Sequence, residues 1–350
     1  MKIALLTIWH EKNYGAELQA YATIKLLSRL GHNVEMIDIR LNDSRKGNLN
    51  QKIYNLICGI TPGHRKFANF WKKNIPVTQR YKSIEDLQHN PPVADAYIVG
   101  SDQVWNPELT KEFSLLYFLN FGDESIKRVS FASSFGTTSW NQPELKEQVQ
   151  ALLNRFNYVT CREKSGVELL DKEFGIKATN VVDPTLVLGD YSDLVSNIQQ
   201  KNTLVYYPLF FDSELETFAK RLSHKLNLQY VNNNKKTYFI GRLEWNRVGI
   251  DEWIRNIAEA QLVITRSFHG LVFSLLFHRQ FAIISTNNGR SSRITNLLES
   301  VGLMDRYFLN TKDLLNSKIW ERKIDYNEVE KKISEIRDFS LNELICALEL

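Results

Sequence analysis

At 350 residues the chain exceeds what one ordinary hydrophobic core organises, so two domains are expected. A hydrophobic fraction of 43% and a charged fraction of 24% belong to a folded globular protein and exclude a disordered or fibrous chain. The formal charge of +4 is too small to argue for nucleic acid, and the three cysteines, Cys58, Cys161 and Cys346, lack metal-ligand spacing. Sparse, unpatterned cysteines suggest a reducing compartment. Met1-Lys2 runs directly into an apolar stretch too short for a secretory leader, and no run of about 18 apolar residues exists to span a membrane. The expectation is a soluble cytoplasmic protein.

The chain opens on a predicted βαβ unit: strand Ile3–Ile8, a polar loop, a helix ending near Gly31, and strand Val34–Ile39. The helix's apolar residues, among them Leu18, Tyr21, Ile24 and Leu27, form no single stripe, which fits a helix covered on much of its surface. From Ser44 to Ile84 there are nine Lys or Arg and no acidic residue, with Tyr54, Phe67, Phe70, Trp71 and Tyr81 interleaved. A solvated helical face is the commoner source of such a run. As a site it suits peripheral contact with the inner face of a membrane or a polyanionic acceptor. Single-stranded nucleic acid ranks last, since no nucleic-acid motif occurs elsewhere.

Strands are predicted at Ala96–Val99, Arg128–Ala132 and Tyr158–Cys161, with helices around Pro143–Phe156 and over Glu163–Phe174. The second half repeats this grammar: strands Thr203–Tyr207, Gln229–Val231, Leu262–Thr265 and Phe281–Ile284, and helices over Ser213–Leu226, Asp251–Ala258 and Ser292–Val301. Alternating strands and helices in both halves predict an α/β protein of two doubly wound, Rossmann-like domains facing a cleft. The expected bounds are 1–190 for the first domain, with 44–84 as an insertion, and 191–325 for the second. The linker falls near Asp190–Lys201, and residues 326–350 form a helical tail that packs back on the first domain.

Polar groups collect at predicted strand ends, where open parallel sheets bind ligands. In the first half these are Asn13 and Gly15, Ser101 and Asp102, Ser133 and Ser134, and Arg162. With only Gly15 in the first turn there is no GxGxxG motif, and no P-loop exists, so dinucleotide and Walker-type nucleotide binding are unsupported. Arg162 suits a two-point anion clamp, with an ion pair to Glu163 or Asp183 as the bland alternative. In the second half, Leu262–Thr265 runs into Arg266, Ser267, His269 and Gly270 at the start of an apolar helix. A cation, a hydroxyl and an imidazole at a helix N-terminus suit an anionic ligand and proton transfer. Arg290 and Arg293 lie at another helix start. His10 sits in the first strand-end loop and could join the site; the remaining histidines have no metal spacing.

Taken together, NYGAELQAYA (13–22), VGSDQVWNP (99–107), FASSFG (131–136), REKSGVELL (162–170), VVDPTLVL (181–188) and TRSFHGLVFSLLF (265–277) resemble the polysaccharide pyruvyl transferase family. The resemblance runs in order over nearly the whole chain. It implies a glycosyltransferase-B-like fold and transfer of a pyruvyl group from phosphoenolpyruvate, as co-substrate, to two hydroxyls of one sugar. The product is a cyclic ketal on a surface polysaccharide precursor. No metal or other cofactor is implied; the partners are phosphoenolpyruvate and a saccharide acceptor, free or lipid-linked. Carried over, Arg162 becomes a phosphoenolpyruvate clamp and His269 the acid/base or phosphate-binding imidazole. Members often carry arginine two places before this histidine, where this chain has Ser267, with Arg266 one position further back. A one-residue shift at a strand end changes which way a side chain points, so Arg290 or Arg293 is the alternative source of charge.

Two other functions fit less of the sequence. A nucleotide-sugar glycosyltransferase would keep the fold but want a ribose-binding carboxylate, for which Asp38 is the one hint. A non-catalytic glycan- or membrane-binding protein would rely on 44–84 and not need His269.

Overall fold

The computed structural model describes residues 1–39, 56–239, 243–285 and 292–349. The chain divides into two compact units. The first comprises Met1–Asp43, Phe70–Leu188 and Glu335–Leu350; the second comprises Ser44–Asn69 and Gly189–Ser334.

The first unit is built on seven strands: β1 Lys2–Leu6, β2 Asn33–Asp38, β3 Val77–Arg80, β4 Ala96–Val99, β5 Lys127–Ser133, β6 Tyr158–Cys161 and β7 Thr179–Asn180. All pair in parallel, in the order β3-β2-β1-β4-β5-β6-β7. Strand order reverses between β1 and β4, the place where doubly wound sheets open a crevice at the carboxyl ends. Every residue of β4 is buried, as expected for a parallel strand covered on both faces. The helix Tyr14–Arg29 is buried around most of its circumference, which is why its apolar residues trace no stripe. Trp105 stacks on Phe118 at 5.5 Å between ring centres and packs with Phe135, forming the aromatic part of this core.

The second unit has a five-stranded parallel sheet: β8 Thr203–Tyr207, β9 Gln229–Asn232, β12 Leu262–Thr265, β13 Gln280–Ile284 and β14 Tyr307–Phe308. Its order is β14-β13-β12-β8-β9, with the reversal between β8 and β12. An antiparallel hairpin, β10 Lys236–Phe239 with β11 Leu243–Arg247, lies apart from it.

The α/β class and the parallel doubly wound sheets agree with the sequence reading. Several elements it lacked are edge pieces: β3 alternates exposed and half-buried residues, and β7 and β14 are two residues long. Short edge strands carry little hydrophobic pattern to read. The helix expected around Pro143–Phe156 is a 3-10 turn, Pro143–Leu145, followed by the helix Lys146–Leu153.

The basic-aromatic segment is structured by its aromatic residues. Phe67, Phe70 and Trp71 from the helix Pro62–Asn74 are buried, as is Tyr81 after β3, while Tyr54 lies outside the described residues. These rings therefore serve cores and are not interleaved with lysines on a surface. Lys66 is tied to the carbonyl of Arg247 and to Glu252. The tail forms one helix, Tyr326–Glu349. Within the first unit its Ser340 accepts from the Val182 amide at 3.1 Å, and its Glu343 accepts from the Tyr158 hydroxyl at 2.5 Å. Among the described residues no helix is long and apolar enough to cross a membrane.

Candidate functional site

The first sheet gathers its four polar loops at the carboxyl ends of β1, β4, β5 and β6, which are consecutive in the sheet. Asn13 caps the helix Tyr14–Arg29, its side chain accepting from the Gly15 amide at 3.0 Å. Ser133 donates to the carbonyl of Gly100 at 3.0 Å, and the Arg162 amide donates to the carbonyl of Ser133. Ser134 donates to Glu163. Asp102 pairs in parallel with Ser133 and adopts a left-handed backbone, φ 79°. Such a conformation is costly for a non-glycine residue and is held by its surroundings.

Arg162 directly follows β6, with its side chain 1% exposed. Its Nη1 donates to Asp183 at 2.7 Å and to the Ser101 hydroxyl at 3.2 Å, and Ser101 donates to the same Asp183 oxygen at 3.1 Å. The other Asp183 oxygen accepts from the amide and hydroxyl of Thr185. Burial alone would lower the Arg162 pKa, but the facing carboxylates of Asp183, Glu163 and Asp102 outweigh it and raise it. Asp183 rather than Glu163 is the close partner.

Glu17 is a second buried ionisable group at this edge, and the sequence reading passed over it. It is fully buried in the first turn of its helix. Its carboxylate accepts from the Trp71 indole at 2.6 Å, from the Glu11 amide at 3.0 Å and from the His10 amide at 3.4 Å, with the Lys12 amide adding a further bond. His10 and Lys12 both have positive φ, 65° and 52°. The His10 ring stacks on Trp71 at 3.6 Å. One carboxylate thus clasps the whole loop after β1. Burial pushes its pKa up to about 7, against the four N–H donors, which favour the charged form. The available signal was a glutamate inside an otherwise inward-facing first turn, between Ala16 and Leu18.

In the second unit, β12 ends at Thr265 and the helix Phe268–Leu276 begins three residues later. Ser267 caps it, accepting from the Gly270 amide at 3.3 Å. Thr265 donates to the carbonyl of Tyr207 at 2.6 Å and accepts from the Ser267 amide at 3.0 Å, which fixes the turn. Gly270 packs against this threonine so closely that a Cβ would lie 2.4 Å from Oγ1, so only glycine fits. His269 occupies the helix's first turn, 9% exposed, with its ring edge-to-face with Phe268 at 5.4 Å. The Arg293 guanidinium sits 5.9 Å over the Phe268 ring. Arg266 forms an ion pair with Asp212 at 2.6 Å, the two side chains 27% and 23% exposed. The second sheet therefore brings together Arg266, Ser267, His269, Gly270 and Arg293, while Arg290 lies outside the described residues. Chemically this is an anion-favouring helix start with one imidazole able to carry protons. Among the described residues, no group of three or more His, Cys, Asp and Glu side chains is placed to hold a metal.

A model of a family described as polysaccharide pyruvyl transferase matches residues 13–288. No curated protein matches the chain. Among solved structures, a UDP-N-acetylglucosamine 2-epimerase assigned in Listeria monocytogenes is similar with a TM-score of 0.56 at 11% identity, over 100% of this chain and 96% of that one. The UDP-GlcNAc 2-epimerase from Neisseria meningitidis bound to UDP-GlcNAc is similar with a TM-score of 0.51 at 10% identity, over 99% and 100%. At such identities the likeness is one of fold alone.

Proposed function

Because this chain belongs to the polysaccharide pyruvyl transferase family, we propose that it moves a pyruvyl group from phosphoenolpyruvate onto two hydroxyls of one sugar in a surface polysaccharide precursor. The observation that carries this reading is the match over residues 13–288, which includes Asn13, Asp102 and Arg162 in the first unit and the Arg266–Gly270 turn in the second. Phosphoenolpyruvate needs cations and helix N-termini for its phosphate and carboxylate, and the Arg266–Gly270 turn with Arg293 supplies that chemistry. Protonation of the methylene carbon leaves a cationic centre at C2, stabilised by its oxygen. A sugar hydroxyl adds there and loses its proton. The C2–O bond to phosphate then breaks, and phosphate departs with the electron pair. The second hydroxyl adds, loses its proton and closes the ketal. Of the two hydroxyl protons, one replaces that spent on the methyl group and the other leaves with phosphate. His269, one imidazole in the helix's first turn, is the acid/base of this scheme.

The two arginines divide the work. Arg162 is buried and committed to Asp183 and Ser101, so here it positions the loop carrying Asp102, whose partly exposed carboxylate suits sugar hydroxyls. Arg266 shares its charge with a partly exposed carboxylate that a phosphate can displace. Phosphate release from phosphoenolpyruvate is the test, measured across galactose-, mannose- and N-acetylmannosamine-containing acceptors. Release should require one acceptor class and fall at least about a hundredfold in His269→Ala, as removal of a general acid/base does. Release without any acceptor, or unchanged in that variant, overturns the assignment.

A further inference from the structure

The helices Ser213–Lys225 and Thr311–Ser317 both start at the carboxyl edge of the second sheet, just after β8 and β14. Each is capped in the ordinary way, by Asp212 accepting from the Leu215 amide and by Asn310 accepting from the Asp313 amide. An apolar residue just ahead of a cap usually folds inward to staple the first turn. Here Phe211 and Leu309 hold those places and are 82% and 70% exposed, with Phe210 beside them at 62%. Between the two helices lies a cavity of about 590 Å³, lined by Phe218, Leu222 and Leu315 together with Arg221, Lys225 and Glu214. Positions 214, 218, 221 and 225 recur at helical spacing, so one face of the helix runs the length of this groove. Among the described residues, neither Arg221 nor Lys225 has an ion pair.

We propose that this face of the second unit docks on an anionic lipid bilayer. Phe211 and Leu309 enter the boundary between headgroups and acyl chains, and Arg221 and Lys225 meet lipid phosphates. Exposed apolar side chains at adjacent loop tips, backed by two cations against one carboxylate, are the complement of an anionic interface. The inference does not rest on pyruvyl transfer. It gives an enzyme of surface-glycan precursors a way to work where such precursors are membrane-borne.

The test is flotation of the full chain with phosphatidylcholine vesicles, with and without phosphatidylglycerol. Wild type should bind only the anionic vesicles, more weakly as salt rises. Arg221→Gln with Lys225→Gln should weaken binding about 25-fold, at about fivefold per cation. Phe211→Ser with Leu309→Ser should weaken it at least about tenfold. These side chains are exposed, so melting followed by circular dichroism should not change; if the serine variant unfolds, the glutamine variant still decides. No binding by wild type overturns the proposal, as does binding undiminished in both variants. Loss only on replacing the exposed Leu56 and Ile60 would place the contact elsewhere. A concentration-dependent dimer abolished by Phe211→Ser, without vesicle binding, would assign the face to a second copy of the chain.

Discussion

Glu17 should make the protein less stable as pH rises through neutrality. Its pKa is about 7 in the fold against an ordinary value of 4.5, a displacement worth about 3 kcal/mol. Between those values the native protein holds a proton that the unfolded chain has released. Unfolding therefore sheds protons, and stability falls as pH climbs from 4.5 to 7. The contribution is fully present below the unfolded pKa and gone above the folded one. Glu17→Gln has nearly the same shape, keeps one acceptor for Trp71 or a loop amide, and does not titrate. Urea unfolding of both proteins from pH 5 to 8 isolates the effect, since every other group cancels in the difference. Wild-type stability relative to the variant should drop by about 2–3 kcal/mol across that range. Parallel curves would refute the reasoning. They would mean that the four N–H donors, not burial, set the ionisation of Glu17.

Three further outcomes follow from the same geometry. Arg162→Met strands Asp183 as a buried charge and should cost about 3–5 kcal/mol in urea unfolding, with much of the loss recovered when Asp183→Leu is added. Gly270→Ala drives a methyl group into Thr265 and should cost about 1–3 kcal/mol, with acceptor-dependent phosphate release falling as the His269 turn shifts. Asp212→Asn should lower stability by less than about 1 kcal/mol yet strengthen inhibition by inorganic phosphate, whereas Arg266→Gln should weaken it; equal inhibition in all three proteins would remove Arg266 from the donor site.

Most of the scaffold was legible because parallel strands announce themselves. Ala96–Val99, Tyr158–Cys161 and Leu262–Thr265 are short apolar runs followed by small or polar residues, and each is a strand with those bounds. The order of strands was not written in any one of them. It depends on which edges pair, and pairing decides which loops become neighbours. Glu17 was illegible for a related reason: its partners come from the loop at residues 10–12 and from Trp71, 54 residues away.

The two arginines show what that missing order conceals. Arg162 follows β6 and pairs with Asp183, which follows the adjacent β7; Arg266 follows β12 and pairs with Asp212, which follows the adjacent β8. Both sheets thus neutralise a strand-end cation with a carboxylate from the neighbouring strand's loop. In sequence these carboxylates look unrelated, one beside a proline and the other ahead of a helix. Burial separates their consequences. The side chains of Arg162 and Asp183 are 1% and 0% exposed, so losing either partner strands a charge, and the pair behaves as architecture. At about a quarter exposed, the Arg266 pair costs little to open, and water or an incoming phosphate can take the place of Asp212. The cation best able to meet a ligand is therefore the one whose bond in the protein is weakest. A motif that lines up arginines by position cannot express that distinction.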